Sequence, residues 1–122
     1  MGSINNLNRR MTCVFNKEDK VAIIGPLPGE VGYIRDPFTD MEKALERYGC
    51  EVLSPLRHGE ESDYATLVGN GSMDIAMCTH VVLLDGWEPC NGPCNLKGMA
   101  RKQNKPIVNQ YQLVAHQKGW KP

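Results

Sequence analysis

The sequence carries no net charge, because its 14 basic residues balance its 14 acidic ones. A chain without a net positive field is poorly suited to holding a polyanion through counterion release, so we expect no nucleic acid polymer as a partner. The sequence also lacks an apolar run of the roughly 20 residues that a membrane-spanning helix needs. Its N-terminus lacks the basic and then apolar segments of a signal peptide. These absences predict a cytoplasmic protein without a membrane partner.

Cysteines are present, but the five in this chain do not form the dense, even-numbered framework of a small secreted domain. We therefore expect reduced thiols. Cys90 and Cys94 are separated by three residues, which is a spacing that zinc sites use. Tetrahedral zinc needs two further ligands, and the nearest candidates are Cys78 and His80, of which His80 begins a predicted buried strand. The pattern therefore predicts no metal site.

The chain has 122 residues, which is long enough for one domain to bury a core. The first 19 residues are polar and aperiodic, and they predict a flexible N-terminal extension. Residues 20–122 are then expected to form a single domain.

Short apolar runs predict strands that are buried on both faces of a parallel sheet. Four segments of this kind occur in the chain, at Lys20–Ile24, 50–53, 80–84 and 106–108. The segments between them are long enough to hold helices.

Capping residues and helical spacing predict the first and last of these helices. Asp36 is a candidate capping residue, Pro37 then occupies the first helical position, and Gly49 ends the helix. The last helix is predicted over 95–104.

The middle helix is predicted in two pieces. Asp63 caps a helix over 64–68, and the segment Gly69-Asn70-Gly71 is expected to interrupt it. A further helical turn or two is expected over 72–78.

Strands that alternate with helix-length segments imply right-handed crossovers and a parallel sheet covered on both faces. The predicted fold is therefore an α/β, Rossmann-like (flavodoxin-like) doubly wound parallel sheet of four to five strands. Ligands of such sheets bind beyond the carboxyl ends of the strands, where the strand order reverses. The loops that follow those ends begin at Gly25, Ser54, Asp85 and Asn109.

The loop after the first strand opens with Ile24-Gly25-Pro26-Leu27-Pro28-Gly29. Its glycines let the backbone approach a ligand closely, and its prolines stiffen the loop. It contains neither G-x-G-x-x-G nor G-x-x-x-x-G-K-[ST], so neither a dinucleotide cofactor nor a P-loop phosphate site is predicted. Without further context, an ordinary strand-to-helix turn and the border of a ligand pocket fit these residues equally well.

Further segments of the sequence supply that context. They are Tyr33 with Phe38, Met73-Asp74-Ile75 before the third strand, Leu84-Asp85-Gly86-Trp87-Glu88 after it, Gly92, and Lys105-Pro106-Ile107-Val108. In this order and spacing the span 21–108 resembles the nucleoside 2-deoxyribosyltransferase superfamily, and within it a small domain family of unknown function that is common in phage genomes. The resemblance implies a nucleoside or nucleotide ligand and a homo-oligomer, since relatives complete their pockets with residues of a neighbouring subunit.

The resemblance also implies catalytic roles. In that superfamily a glutamate at the start of the last helix attacks the anomeric carbon of a 2-deoxyribosyl group, and an aspartate before the third strand helps to move the proton on the base. Asp74 lies at the position of the aspartate, although a solvated or capping role fits it equally well. Alignment on Gly92 puts Leu96 at the position of the glutamate, and leucine has no nucleophilic group. Glu88 and Cys94 are conceivable substitutes.

The expected function is therefore binding of a nucleoside or nucleotide without the glycosyl transfer, in effect sequestration of the ligand, in the host cytoplasm if the protein is phage-encoded. The alternative is an active deoxyribosyltransferase or deoxynucleoside monophosphate N-glycosidase that uses Asp74 and Glu88. The predicted ligand contacts come from the two loops and the last helix: Gly25, Pro26, Leu27, Gly29, Tyr33, Asp85, Gly86, Trp87, Asn91, Gly92 and Leu96.

Overall fold

Strands and helices alternate along the chain in a computed structural model that describes residues 15–59 and 62–111. The elements are β1 Lys20–Ile24, α1 Arg35–Arg47, β2 Glu51–Leu53, α2 Tyr64–Met77, β3 His80–Leu83, α3 Asn91–Lys102 and β4 Ile107–Asn109. A short 3-10 helix, Pro55–His58, follows β2. None of the helices within the described ranges has the length and apolarity needed to cross a bilayer.

The four strands form one sheet in the order β2-β1-β3-β4, and every pair is parallel. β1 is central: Ala22 pairs with Leu53 of β2 on one side and with Val81 of β3 on the other. The prediction of a Rossmann-like α/β fold is confirmed, with four strands in the described part of the chain.

Each face of the sheet is covered by helices, which is why the strands are apolar apart from one polar residue at an end of each. Side chains alternate along β1, so Val21 and Ile23 contribute to one core cluster and Ala22 and Ile24 to the other. The first cluster includes the buried stripe of α1, which consists of Phe38, Met41, Ala44 and Leu45. The second cluster includes residues of α2 and α3, namely Ile75, Leu96 and Ala100.

α1 begins two residues earlier than predicted. Arg35 is its first residue and Ile34 is the N-cap, without a side-chain hydrogen bond, so the assignment of Asp36 as the capping residue is wrong. Pro37 lies at the third helical position. Proline is tolerated anywhere in the first turn because those N–H groups have no partner within the helix, and its presence therefore does not specify the exact start.

α2 is one continuous helix, so the predicted interruption at residues 69–71 is wrong. The predicted cap is confirmed, since the Asp63 side chain accepts a hydrogen bond of 2.7 Å from the Thr66 N–H. A Cβ atom on Gly71 would lie only 2.8 Å from Cδ1 of Leu96. Gly71 therefore serves the close approach of α2 and α3 and does not end a helix.

α3 begins at Asn91 and not at residue 95. Pro93 lies in its first turn, where proline is tolerated, so this proline does not mark a boundary before the helix. Leu96 is consequently well inside the helix and 2 % exposed.

The predicted N-terminal extension, residues 1–19, is only partly described, since residues 1–14 lie outside the described ranges. Residues 15–19 differ from the prediction of a flexible segment. Phe15 is 7 % exposed and packs edge-on against Tyr48 and His80. An aromatic side chain thus joins the α1 side of the core from outside the sheet.

The contact between α2 and α3 is open to a direct test. We expect Gly71→Ala to lower the free energy of unfolding by about 1–3 kcal/mol, because the new methyl group overpacks the contact with Leu96. Gly69→Ala is the matched control, since a Cβ atom there has nothing within 4 Å. It should raise stability by up to about 1 kcal/mol through helix propensity alone. Urea denaturation measures both, and equal stabilisation by the two substitutions would contradict the packing.

Candidate functional site

The carboxyl ends of β1 and β3 are adjacent, because these strands pair directly although α1, β2 and α2 separate them in sequence. The strand order reverses between them, since the chain places β2 on one side of β1 and β3 on the other. The loop 25–34 leaves β1 at this point, and the loop 84–90 leaves β3. Open α/β sheets bind their ligands at such a point.

The loop after β1 is anchored by packing at its start. Gly25, Pro26 and Leu27 are all buried, and Leu27 has no exposed surface. A Cβ atom on Gly25 would lie 3.0 Å from Cδ1 of Leu84, so the loop passes very close to the residue after β3. Gly86 faces Pro26 across the same contact. These predicted ligand contacts therefore hold the two loops together in the described structure.

Glu30 ties this loop to two other elements. Its Oε1 accepts a hydrogen bond of 2.7 Å from the Leu27 N–H within the loop. Its Oε2 accepts one of 2.9 Å from the Gly92 N–H of α3 and one of 2.6 Å from the Tyr64 hydroxyl of α2. Gly92 is the second residue of α3, where the helix dipole favours a negative charge.

Gly92 leaves room for this carboxylate. A Cβ atom on Gly92 would lie 2.8 Å from the Tyr64 hydroxyl oxygen, 2.9 Å from Oε2 of Glu30 and 3.1 Å from Cδ1 of Leu27. Any side chain would displace the hydrogen-bonded group. The glycine that the resemblance singled out is thus required for the contact between Glu30 and the start of α3.

A cleft of about 380 Å³ opens beside this group. Its lining comes from the loop after β1, the first residue of α2 and the junction between the β3 loop and α3: Gly29, Glu30, Val31, Tyr64, Pro89, Cys90 and Asn91. Two predicted ligand contacts, Gly29 and Asn91, are among them. The cleft therefore lies at the end of the sheet where a ligand site was expected.

The hydrogen bond to Glu30 changes the acid–base behaviour of Tyr64. Because the Tyr64 hydroxyl donates to a carboxylate, its pKa is raised from 10.0 to about 12, with smaller contributions from desolvation and from the Glu30 charge. The Tyr64 hydroxyl therefore stays protonated and keeps donating to Glu30 to a higher pH than an ordinary tyrosine would, and its 40 % exposed side chain lies at the surface of the cleft.

Asp74 is held in an ion pair. Its two oxygens accept hydrogen bonds from Arg57, at 2.6 Å from Nη2 and 3.0 Å from Nη1, and the residue is 3 % exposed. Arg57 also donates to the backbone oxygen of Ser54, directly after β2. The hydrogen bonds to Asp74 raise the pKa of Arg57. The pair thus connects the 3-10 helix after β2 to α2.

The structure also defines the positions of Leu96, which aligns with the superfamily's glutamate, and of Glu88, its conceivable substitute. Leu96 packs in the core beside Gly71, among the residues between α2, α3 and the sheet. Glu88 is exposed in the loop after β3, one residue before Pro89 at the margin of the cleft. None of Asp74, Glu88 and Leu96 is among the described residues that line the cleft.

Three further predicted contacts lie outside the set of described residues that line the cleft. Trp87 has the ammonium group of Lys97 at 4.1 Å from its ring centroid, and Tyr33 packs against the α1 side of the core. The Asp85 N–H donates to the Gln110 side chain at 2.6 Å, which joins the loop after β3 to the end of β4.

Cys90 lines the cleft as a neutral thiol. Desolvation, with smaller contributions from the charges of Glu30 and Cys94, raises its pKa, and its Sγ lies 3.3 Å from the backbone oxygen of Val31. Cys94 is exposed, with its Sγ 3.3 Å from the backbone oxygen of Glu88. Within residues 15–59 and 62–111 no group of three or more His, Cys, Asp or Glu side chains is placed to hold a metal ion.

Sequence reasoning missed Glu30 and Tyr64, the polar pair of the cleft. The only available signals were a carboxylate in a glycine-rich loop and an aromatic residue directly after a helix cap. Neither signal shows that the two side chains meet across 34 positions of sequence.

The fold and the cleft together define a class: a Rossmann-like α/β domain with a pocket at the reversal of strand order. Within that class the chain belongs to the domain family of unknown function DUF4406, which matches residues 19–109. No protein with a curated description matches the chain. The wider resemblance to nucleoside 2-deoxyribosyltransferases stays a prediction.

The pairing of Tyr64 with Glu30 predicts a late tyrosine titration. We expect the tyrosinate absorbance of the wild type to include one step near pH 12 that Tyr64→Phe removes. In Glu30→Ala this step should move down toward the ordinary value of 10.0. Because the folded-state pKa is raised, the stabilisation from the neutral phenol is complete below pH 10.0 and is lost as the pH rises through about 12. A step that does not move in Glu30→Ala would contradict the pairing.

The ion pair of Asp74 predicts a structural contribution. We expect Asp74→Ala to lower the free energy of unfolding by about 1–3 kcal/mol, because it removes two hydrogen bonds and leaves the guanidinium group unpaired. Asp40→Ala, at an exposed position of α1, is the control and should change stability by less than about 0.5 kcal/mol. A double-mutant cycle with Arg57→Ala measures the coupling by urea denaturation. Equal effects of Asp74→Ala and Asp40→Ala would refute this contribution.

Proposed function

We propose that the cleft binds a nucleoside or nucleotide and does not transfer its sugar. The observation that carries the proposal is the position and size of the cleft, about 380 Å³ at the carboxyl ends of β1 and β3. Pockets for small organic ligands have volumes of roughly 300–1,000 Å³, and in open α/β sheets they lie at this point.

The lining supports a ligand with a flat apolar part and a polar rim. Tyr64, Val31 and Pro89 offer aromatic and aliphatic surface against which a base can pack. The Asn91 side chain offers a donor and an acceptor for the edge of the base, and Glu30 offers an acceptor for a sugar hydroxyl. Val31 is 85 % exposed, so this surface is accessible from solvent.

Binding without glycosyl transfer is supported by the positions of the residues that the resemblance implicates. Asp74 is engaged with Arg57, and the position expected for the nucleophile, Leu96, is an apolar core position. Sequestration of the ligand is the function that this combination favours. The competing proposal, an active deoxyribosyltransferase or N-glycosidase, requires another nucleophile.

We extend the proposal to a homo-oligomer in the cytoplasm, that of the host for a phage-encoded protein. Exposed apolar side chains at and near the rim of the cleft support self-association: Val31 is 85 % and Ile34 61 % exposed.

Thermal shift and chromatography with the same ligand panel test the function. A ligand that binds only the folded state raises the melting temperature by mass action, so nucleosides or nucleoside monophosphates should produce a shift that depends on concentration. Chromatography of the same mixtures should show no free base. Base release would support the enzyme, and the absence of any shift across the panel would contradict the proposal.

A matched pair of variants localises the binding. Asn91→Arg puts a long side chain beside Glu30, where it fills the cleft, and should weaken binding of an uncharged nucleoside by about tenfold or more. Gln103→Arg adds the same charge at the exposed C-terminal end of α3, far from the cleft at the start of that helix, and should leave the affinity unchanged. Equal affinities of the two variants would place the ligand elsewhere.

A further inference from the structure

The groups around Glu30 form a small oxyanion-binding cradle, which we define as the Leu27 N–H, the Gly92 N–H and the Tyr64 hydroxyl. All three donate to the Glu30 carboxylate, at 2.7, 2.9 and 2.6 Å respectively. One of them, the Gly92 N–H, lies in the first turn of α3, and backbone N–H groups at the start of a helix are a common means of binding phosphate. In this chain the cradle is filled by the protein's own carboxylate.

A filled cradle affects any anionic ligand in the cleft. A phosphate would find the donors occupied and a negative charge beside it. Neither lysine nor arginine is among the described residues that line the cleft, so no cation there offsets this charge. Juxtaposed like charges oppose binding strongly when water is partly excluded.

The same carboxylate is suited to an uncharged ligand. An ionised carboxylate has about four acceptor positions, and the three hydrogen bonds leave one of them for a hydroxyl group. The Tyr64 hydroxyl donates its one proton to Glu30, so toward the ligand its oxygen can act only as an acceptor.

We infer that Glu30 is a specificity-determining residue that excludes phosphate from the cleft, so that the ligand is a neutral nucleoside and not its 5′-phosphate. The part of this inference that concerns the nucleoside rests on the proposed function. The part that concerns exclusion of an oxyanion from the cradle does not depend on that function. The two parts are therefore tested separately: the first with a nucleoside and its monophosphate, the second with inorganic phosphate alone.

The first experiment compares a nucleoside with its 5′-monophosphate by calorimetry on the full chain. The wild type should bind the nucleoside about tenfold or more tightly than the monophosphate, because the charge of Glu30 opposes the phosphate. Glu30→Gln, which removes the charge at nearly constant size, should reduce this preference. Glu46→Ala, which removes an exposed carboxylate from the far end of α1, should keep it. Equal or tighter binding of the monophosphate by the wild type overturns the inference.

The second experiment uses inorganic phosphate, and it separates a failure of this inference from a failure of the proposed function. Glu30→Ala empties the cradle and should gain a thermal shift with phosphate, whereas the wild type and Glu46→Ala should show none beyond the effect of ionic strength. If Glu30→Ala does not fold, Glu30→Ser, whose side chain is also too short to fill the cradle, gives the same comparison. If no nucleoside binds the wild type, the proposed function fails, and the phosphate result decides the role of Glu30 alone. If the thermal shift of the variant with phosphate is no larger than that of the wild type, the inferred role of Glu30 is overturned.

Discussion

The carboxylate of Glu30 joins three parts of the chain that are far apart in sequence. It closes the loop after β1 through the Leu27 N–H, accepts from the first turn of α3 at Gly92, and holds the hydroxyl of Tyr64 at the start of α2. Glu30 and Tyr64 themselves line the cleft. The shape of the candidate site therefore depends on a single side chain that is held by hydrogen bonds from its own loop, from α2 and from α3.

The other constraint is the close packing of α2 on α3. Gly71 admits Leu96 into the interface, and Gly92 admits the Glu30–Tyr64 pair nearer the cleft. Both contacts lie between the same two helices, one in the core and one at the carboxyl edge of the sheet. A glycine at each contact lets the backbones approach closely, which fixes the start of α3 relative to the loop after β1.

The fold was predictable because its signals are local. Apolar runs such as Lys20–Ile24 identify strands buried on both faces, and a capping aspartate before a helical segment identified Asp63. The glycines at 69 and 71 were misleading, because two glycines so close together locally predict the end of a helix. The role of Gly71 is instead to admit Leu96, which is 25 positions away in sequence. The same limit applies to the site: Gly29 and Asn91 were found through their loops, but the pairing of Glu30 with Tyr64 has no local signature. Such a long-range pair can be predicted only once the order of the strands and the positions of the helices are known.

The central position of β1 determines when the cleft can form during folding. β1 pairs with β3 only after most of the chain is available, as the hydrogen bond from the Lys20 N–H to the Thr79 hydroxyl spans 59 positions. The contact between Glu30 and Gly92 spans 62. Loop closure over such distances is entropically costly, so parallel sheets of this kind fold slowly compared with helical bundles. The cleft can therefore form only in chains in which β1 has already paired with β3, and a ligand bound there stabilises those chains alone.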